Sequence, residues 1–169
     1  MEASIVIDFL LRWIHFLAGI TWIGLLYYFN FIQGPFMGQA DDVTKKDITT
    51  KMAPRSLWWF RWSAMITVIA GILMILNRIG LGGAGIMTTP WGISISIGGI
   101  LGIIMWFNVW FIIWPNQKVI IATTTSGQGT EGNAARARVA FLASRTNTML
   151  SIPMLFFMAA ASHGPWGMF

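Results

Sequence analysis

The chain of 169 residues has no cysteine, two histidines and six acidic residues, and only 10% of it is charged. Without cysteine there can be no disulfide, thiolate metal site or iron–sulfur ligation. Any bound iron or other metal must then rely on His, Met, carboxylate or backbone groups. So little charge is also far below the roughly one quarter usual in soluble domains. What fills the chain instead is apolar: 56% of residues are hydrophobic, including 10 Trp, 12 Phe and 11 Met. The mean hydropathy is +0.66. This is the composition of a membrane protein.

A membrane-spanning helix needs roughly 20 apolar residues, and four runs qualify, at about 9–33, 57–79, 91–114 and 141–163. The expected fold is an all-α membrane protein, a four-transmembrane-helix bundle making one membrane domain over 1–169. The first run has neither a basic flank before it nor a clean small-residue cleavage site after it, so it is expected to stay as a helix. Lys45, Lys46, Lys51, Arg55 and Arg61 lie in or beside the first loop, and Lys118, Arg136, Arg138 and Arg145 in or beside the third. Only Arg12 and Arg78 lie towards the other side. The positive-inside rule then gives an N-out, C-out topology. The net charge of +5 therefore reads as topology facing membrane lipid, with no nucleic acid implied.

The first run organises the rest. At 100° per residue Asp8, Arg12, His15, Gly19, Trp22, Leu26, Asn30 and Gln33 fall within about 40° of one line. Polar groups in hydrocarbon are costly unless paired, so this line must face protein or a cofactor. The run is expected to end at Gly34-Pro35, and the polar stretch after it to be a solvated connector or a short amphipathic helix. Ser63, Thr67, Ala70, Met74 and Asn77 make a small or polar face on the second helix, suited to close contact. The RSLWWFRW stretch at its start reads as an interfacial aromatic belt. GLGGAGIMTTP makes a tight outer hairpin without the features of a phosphate loop. The third helix aligns Ser94, Gly98, Leu101, Met105, Asn108, Ile112 and Asn116, and Pro115 is expected to kink or stop it. The fourth aligns Ser144, Thr148, Ser151, Leu155 and Ser162, with a bend expected at Pro153.

His15 lies about one turn inside the boundary marked by Arg12 and Trp13, and His163 within a turn of the boundary marked by Trp166. Antiparallel first and fourth helices bring the two imidazoles to one depth, as bis-histidine ligation of haem b requires. Gly19 would leave room for the macrocycle, and Arg12 and Arg78 could pair with its propionates. The other reading makes His15 an interhelical hydrogen-bonder beside Asp8 and Arg12, and His163 an interfacial residue. Two histidines fall short of the three protein ligands usual at a catalytic zinc.

The stretches WIHFLAGITWIGLLYYFNF, WWFRWSAMITVIAGIL, GGILGIIMWFNVWFIIWPNQK and SRTNTMLSIPMLFFMAAASH together resemble the N-terminal membrane domain of the bacterial cytochrome-c-linked urate oxidases, or urate hydroxylases. The resemblance implies a membrane redox scaffold in a bacterial inner membrane, with a cytochrome c-type electron partner. Family members are longer and commonly carry a C-terminal cytochrome c domain, whereas this chain has no C-x-x-C-H motif, as in a short form lacking that domain. Ser96 and Thr146 stand where the family places histidines. Three functions remain open: a redox-associated subunit holding one haem b between His15 and His163, a cofactor-free accessory subunit of a larger respiratory or oxygenase complex, and a urate oxidase-like enzyme component. A polar stripe on every helix leaves more inward-facing groups than one seam satisfies, so an oligomer or larger assembly is expected.

Overall fold

The computed structural model describes residues 2–163, with side chains described for 3–161. Its main elements are α1 (Glu2–Tyr27), α2 (Gly34–Gln39), α3 (Asp42–Asp47), α4 (Ala53–Gly82), α5 (Pro90–Phe107), α6 (Trp114–Ser126) and α7 (Asn133–His163). They join into four long columns. α1 runs through to α2, α3 to α4, and α5 to α6, while α7 stands alone. α1 packs along α4 and α5 along α7, so the chain forms two helical hairpins that meet through α4 with α5 and α1 with α7.

Three prolines that should interrupt helices do not. Pro35, Pro54 and Pro115 have no N–H for the carbonyl four residues back, and their rings crowd it. In each case the residue just before the proline reaches one residue further: Gly34 N–H to Phe29 O, Ala53 N–H to Ile48 O, and Trp114 N–H to Val109 O. The widened turns are π segments at Tyr28–Gln33, Ile48–Met52 and Asn108–Ile113. The proline then opens the next α segment, where an absent N–H costs least. The first helix therefore does not end at Gly34-Pro35 and the third does not stop at Pro115. The expected solvated connector is also mostly helical, broken only around Ala40 and Asp41, with the Asp41 carboxylate capping α3 through the Thr44 N–H at 2.7 Å.

Three columns, Ala3–Gln39, Asp42–Gly82 and Pro90–Ser126, are long and apolar enough to cross a membrane. Among the described residues the fourth is not, which corrects the expectation of four such helices. The reason is its interior: α7 carries Arg145 and Pro153, and its Asn147 and Ser151 are fully buried. A helix surrounded by protein can present polar groups to its neighbours instead of to lipid. The columns also exceed the roughly 20 residues a span needs, so the polar stretch from Gln39 to Lys51 overhangs the apolar part.

The core seam joins Trp22 and Leu26 of α1, Leu57, Phe60 and Ala64 of α4, Met105, Val109 and Ile113 of the third column, and Met154 of α7. The stripe on the first helix thus faces protein along its middle, with Trp22 1% and Leu26 0% exposed. Ser63, Thr67 and Ala70 are buried as their shared face implied. In the third column the buried face passes from Met105 to Val109 and Ile113, not to Asn108 and Ile112, because a π turn advances the phase by about one residue. In α7 the seam is Ala140, Asn147, Ser151, Met154 and Ala161; it shares Ser151 with the expected line but is rotated away from Ser144, Thr148 and Leu155. A seven-residue repeat, not the hydroxyl pattern, sets that face. At the outer loop Gly83, with φ +76°, terminates α4, and a Cβ on Gly92 would overlap the Ile86 and Met87 backbone.

Candidate functional site

His15 sits on the α4-facing side of α1, half-buried, with Nδ1 2.8 Å from the Thr67 carbonyl oxygen. A carbonyl can only accept, so Nδ1 carries a proton, and in the neutral ring Nε2 then keeps its lone pair. The ring rests against Gly71, where a Cβ would lie 3.1 Å from Cε1 and 3.3 Å from Nδ1. One turn along, a Cβ on Gly19 would make only an ordinary 3.9 Å contact with the Thr67 methyl. Gly71 thereby makes room for the imidazole, and Thr67 spends its own hydroxyl proton on the Ser63 carbonyl at 2.7 Å.

Further along α1, polar groups tie the first hairpin to α7, and others tie α7 to its own partner column. The Tyr27 hydroxyl meets the Ser151 hydroxyl at 2.9 Å, and Ser151 also lies 2.7 Å from the Thr148 carbonyl. Ser151 therefore donates to that carbonyl and accepts from Tyr27. Asn30, inside the first π segment, donates to Ser144 Oγ at 2.8 Å. Asn108, at the start of the third π segment, donates to Asn147 Oδ1 at 2.8 Å, and Asn147 donates to the Met105 carbonyl at 2.9 Å. This bonding makes α7 a polar helix with its polar groups satisfied. Arg61 lies over the Trp114 ring at 3.8 Å and the Trp110 ring at 5.2 Å, a cation–π stack inside the bundle.

The residues singled out in the sequence do not all converge. Arg12 bonds Asp8 at 2.7 Å on the surface of α1. Arg78 lies 4.8 Å over the Trp91 ring. Both belong to the end of the bundle where Asn77 approaches the Ser4 carbonyl at 3.4 Å. His163 closes α7, but its side chain lies outside the described residues, as does Trp166. Sequence reasoning missed the burial of Asn147, whose signal was its place in a heptad with Ala140, Met154 and Ala161. It also missed the Arg61–Trp114 stack, where the third column's π segment comes just before Trp114. No group of three or more His, Asp or Glu residues placed to hold a metal occurs among the described residues.

The fold and this seam define a class: an all-helical, four-column protein with three columns apolar enough for a membrane and a hydrogen-bonded polar interior. The sequence model of the urate oxidase N-terminal family matches residues 84–168, half of the chain. The protein belongs to that family. The matched stretch covers the second hairpin, including Asn108, Asn147, Ser151 and His163, while His15 lies in the first hairpin outside it. No curated protein and no solved structure matches the chain.

Proposed function

We propose that the protein is an integral membrane, redox-associated subunit that holds one haem b between His15 and His163 and passes electrons to a cytochrome c-type partner at the outer face. The observation carrying this reading is the state of His15. Its Nδ1–H is spent on a backbone carbonyl, which fixes the ring and leaves Nε2 as a free donor. Ligating histidines are oriented in this way. The helix register supports the depth of the second ligand. From Tyr27 back to His15, and from Ser151 forward to His163, is the same twelve residues along antiparallel helices joined by the Tyr27–Ser151 bond. The donor chemistry at His15 therefore fits a haem ligand, and Arg12 and Arg78 at the same end could hold the propionates only by leaving Asp8 and the Trp91 ring. A bound haem b would supply reversible one-electron transfer. The chain's own part is to orient His15 and keep the hairpins docked.

A cofactor-free accessory subunit is the second reading, favoured by the same contact seen as packing: His15 already bridges α1 and α4 and fills the space over Gly71. A urate-oxidising component, the reading closest to the family's description, rests on that family alone. A reduced-minus-oxidised spectrum of detergent-purified protein separates the first two. A b-type α-band that disappears in His15→Ala, while the variant still inserts, is the expected result. Haem-free wild-type protein from haem-replete cells overturns the cofactor and leaves the accessory role. Urate turnover by the purified chain would be required for the third.

A further inference from the structure

Where α1 passes the start of α4, an open cleft of about 450 Å³ is lined by Ile20, Thr21, Gly24, Leu25, Arg55, Ser56 and Trp59. A second hollow of about 330 Å³, lined by Pro54, Arg55, Trp58 and Trp59, adjoins it through the shared Arg55 and Trp59. The floor is apolar and deepened by Gly24, around which nothing lies within 4 Å of a Cβ position. One cation stands at the lip. Lys45 and Lys51 have carboxylate partners in Asp42 and Asp47, whereas Arg55 has no ion-pair, hydrogen-bond or ring partner among the described residues. Ser56 gives its proton to the Met52 carbonyl at 3.1 Å, so its oxygen is left to accept.

We propose that this cleft is a binding site for one anionic phospholipid: the phosphate on Arg55, a headgroup hydroxyl on Ser56, and an acyl chain along Ile20, Gly24 and Leu25 against Trp59. The proposal rests on the membrane reading above. Charge complementarity and shape select this occupant. An unpaired guanidinium beside interfacial tryptophans matches a phosphate, and the apolar trough below it matches a chain. A basic pocket between helices at the positively charged end is where anionic headgroups bind.

The test is native mass spectrometry of the full chain in mild detergent with phosphatidylglycerol or phosphatidylcholine added, after alkaline carbonate extraction has established insertion. Preferential retention of phosphatidylglycerol is expected, by about fivefold for one surface cation. Arg55→Gln should abolish the preference, and Gly24→Leu should lower retention of both lipids by filling the trough, since the Cβ position there is open. Equal retention of the two lipids by wild-type protein overturns the proposal. So does displacement by inorganic phosphate alone, which needs no trough, or a Gly24→Leu variant that changes oligomeric state but not lipid retention, which makes a second copy the occupant. Release of the protein by carbonate would instead overturn the membrane reading itself.

Discussion

Asn147 is fully buried and uses both its carbonyl and its amide on the facing column. Asn147→Leu strands the Asn108 amide and the second lone pair of the Met105 carbonyl, and should cost about 1–3 kcal/mol in detergent unfolding. The double variant with Asn108→Leu should cost less than the two singles together, with a coupling of about 1 kcal/mol. His163 offers a separate test of the haem reading. His163→Ala should retain haem while gaining carbon monoxide binding, whereas His15→Ala loses it, because His15 is held by the Thr67 carbonyl within a long helix and His163 stands at a helix end. Loss of haem in neither variant would sink the ligand assignment. Outside the spans, the Thr44 N–H and hydroxyl hold the exposed Asp41 carboxyl below its usual range. Its folded value is lowered, so the cap's contribution is present above the unfolded value and fades as pH falls through the folded one. The Thr44 amide resonance should shift across that acid range, and should stop doing so in Asp41→Asn.

At the scale of elements, the prolines decide the winding and glycine permits it. A Cβ on Gly34 would lie 3.0 Å from the Phe29 carbonyl that its own N–H serves. Gly34→Ala should therefore destabilise by about 1–2 kcal/mol, against the roughly 1 kcal/mol that alanine ordinarily gains over glycine in a helix. Gly24→Ala, with open space around it, should be neutral or stabilising; equal responses at both sites would refute the steric argument. This is also where the sequence was least legible. The count of four helices, the inward stripe through Trp22 and Leu26, and the Ser63–Thr67–Ala70 face all follow from a 3.6-residue period. That period has no means of registering a π turn, so Pro35 and Pro115 looked like stops and the face beyond Asn108 was misplaced. His15 stood out because an ionisable group amid apolar residues has few tolerable surroundings, but its partner, the carbonyl of Thr67, is a backbone atom that no side-chain pattern reports. Asn147 was hidden among hydroxyl residues with a competing periodicity.

For the whole molecule, hairpin pairing places the first and third loops at one end, where α6 meets the Ile48–Met52 segment. Lys45, Lys46, Lys51, Arg136 and Arg138 gather there. Cysteines introduced at Gly85 and Gln128 should then label from opposite sides, with Gly85→Cys reactive from outside intact cells and Gln128→Cys only after permeabilisation. The reverse pattern would invert the topology, and labelling of both from outside would remove the membrane crossing between them.

The division into two hairpins also has a consequence for how the polypeptide is made. Each hairpin holds its own longest interface within itself, and the family match begins at residue 84, in the turn between them. The peptide bond there should then be dispensable to the architecture, and the halves should behave as prefabricated parts with complementary sockets: Tyr27 and Asn30 on one, Ser151 and Ser144 on the other. Co-translated as separate polypeptides cut at Gly83, they should find each other in the bilayer and co-purify, and replacing Tyr27 with Phe and Asn30 with Leu should leave two intact, unacquainted fragments.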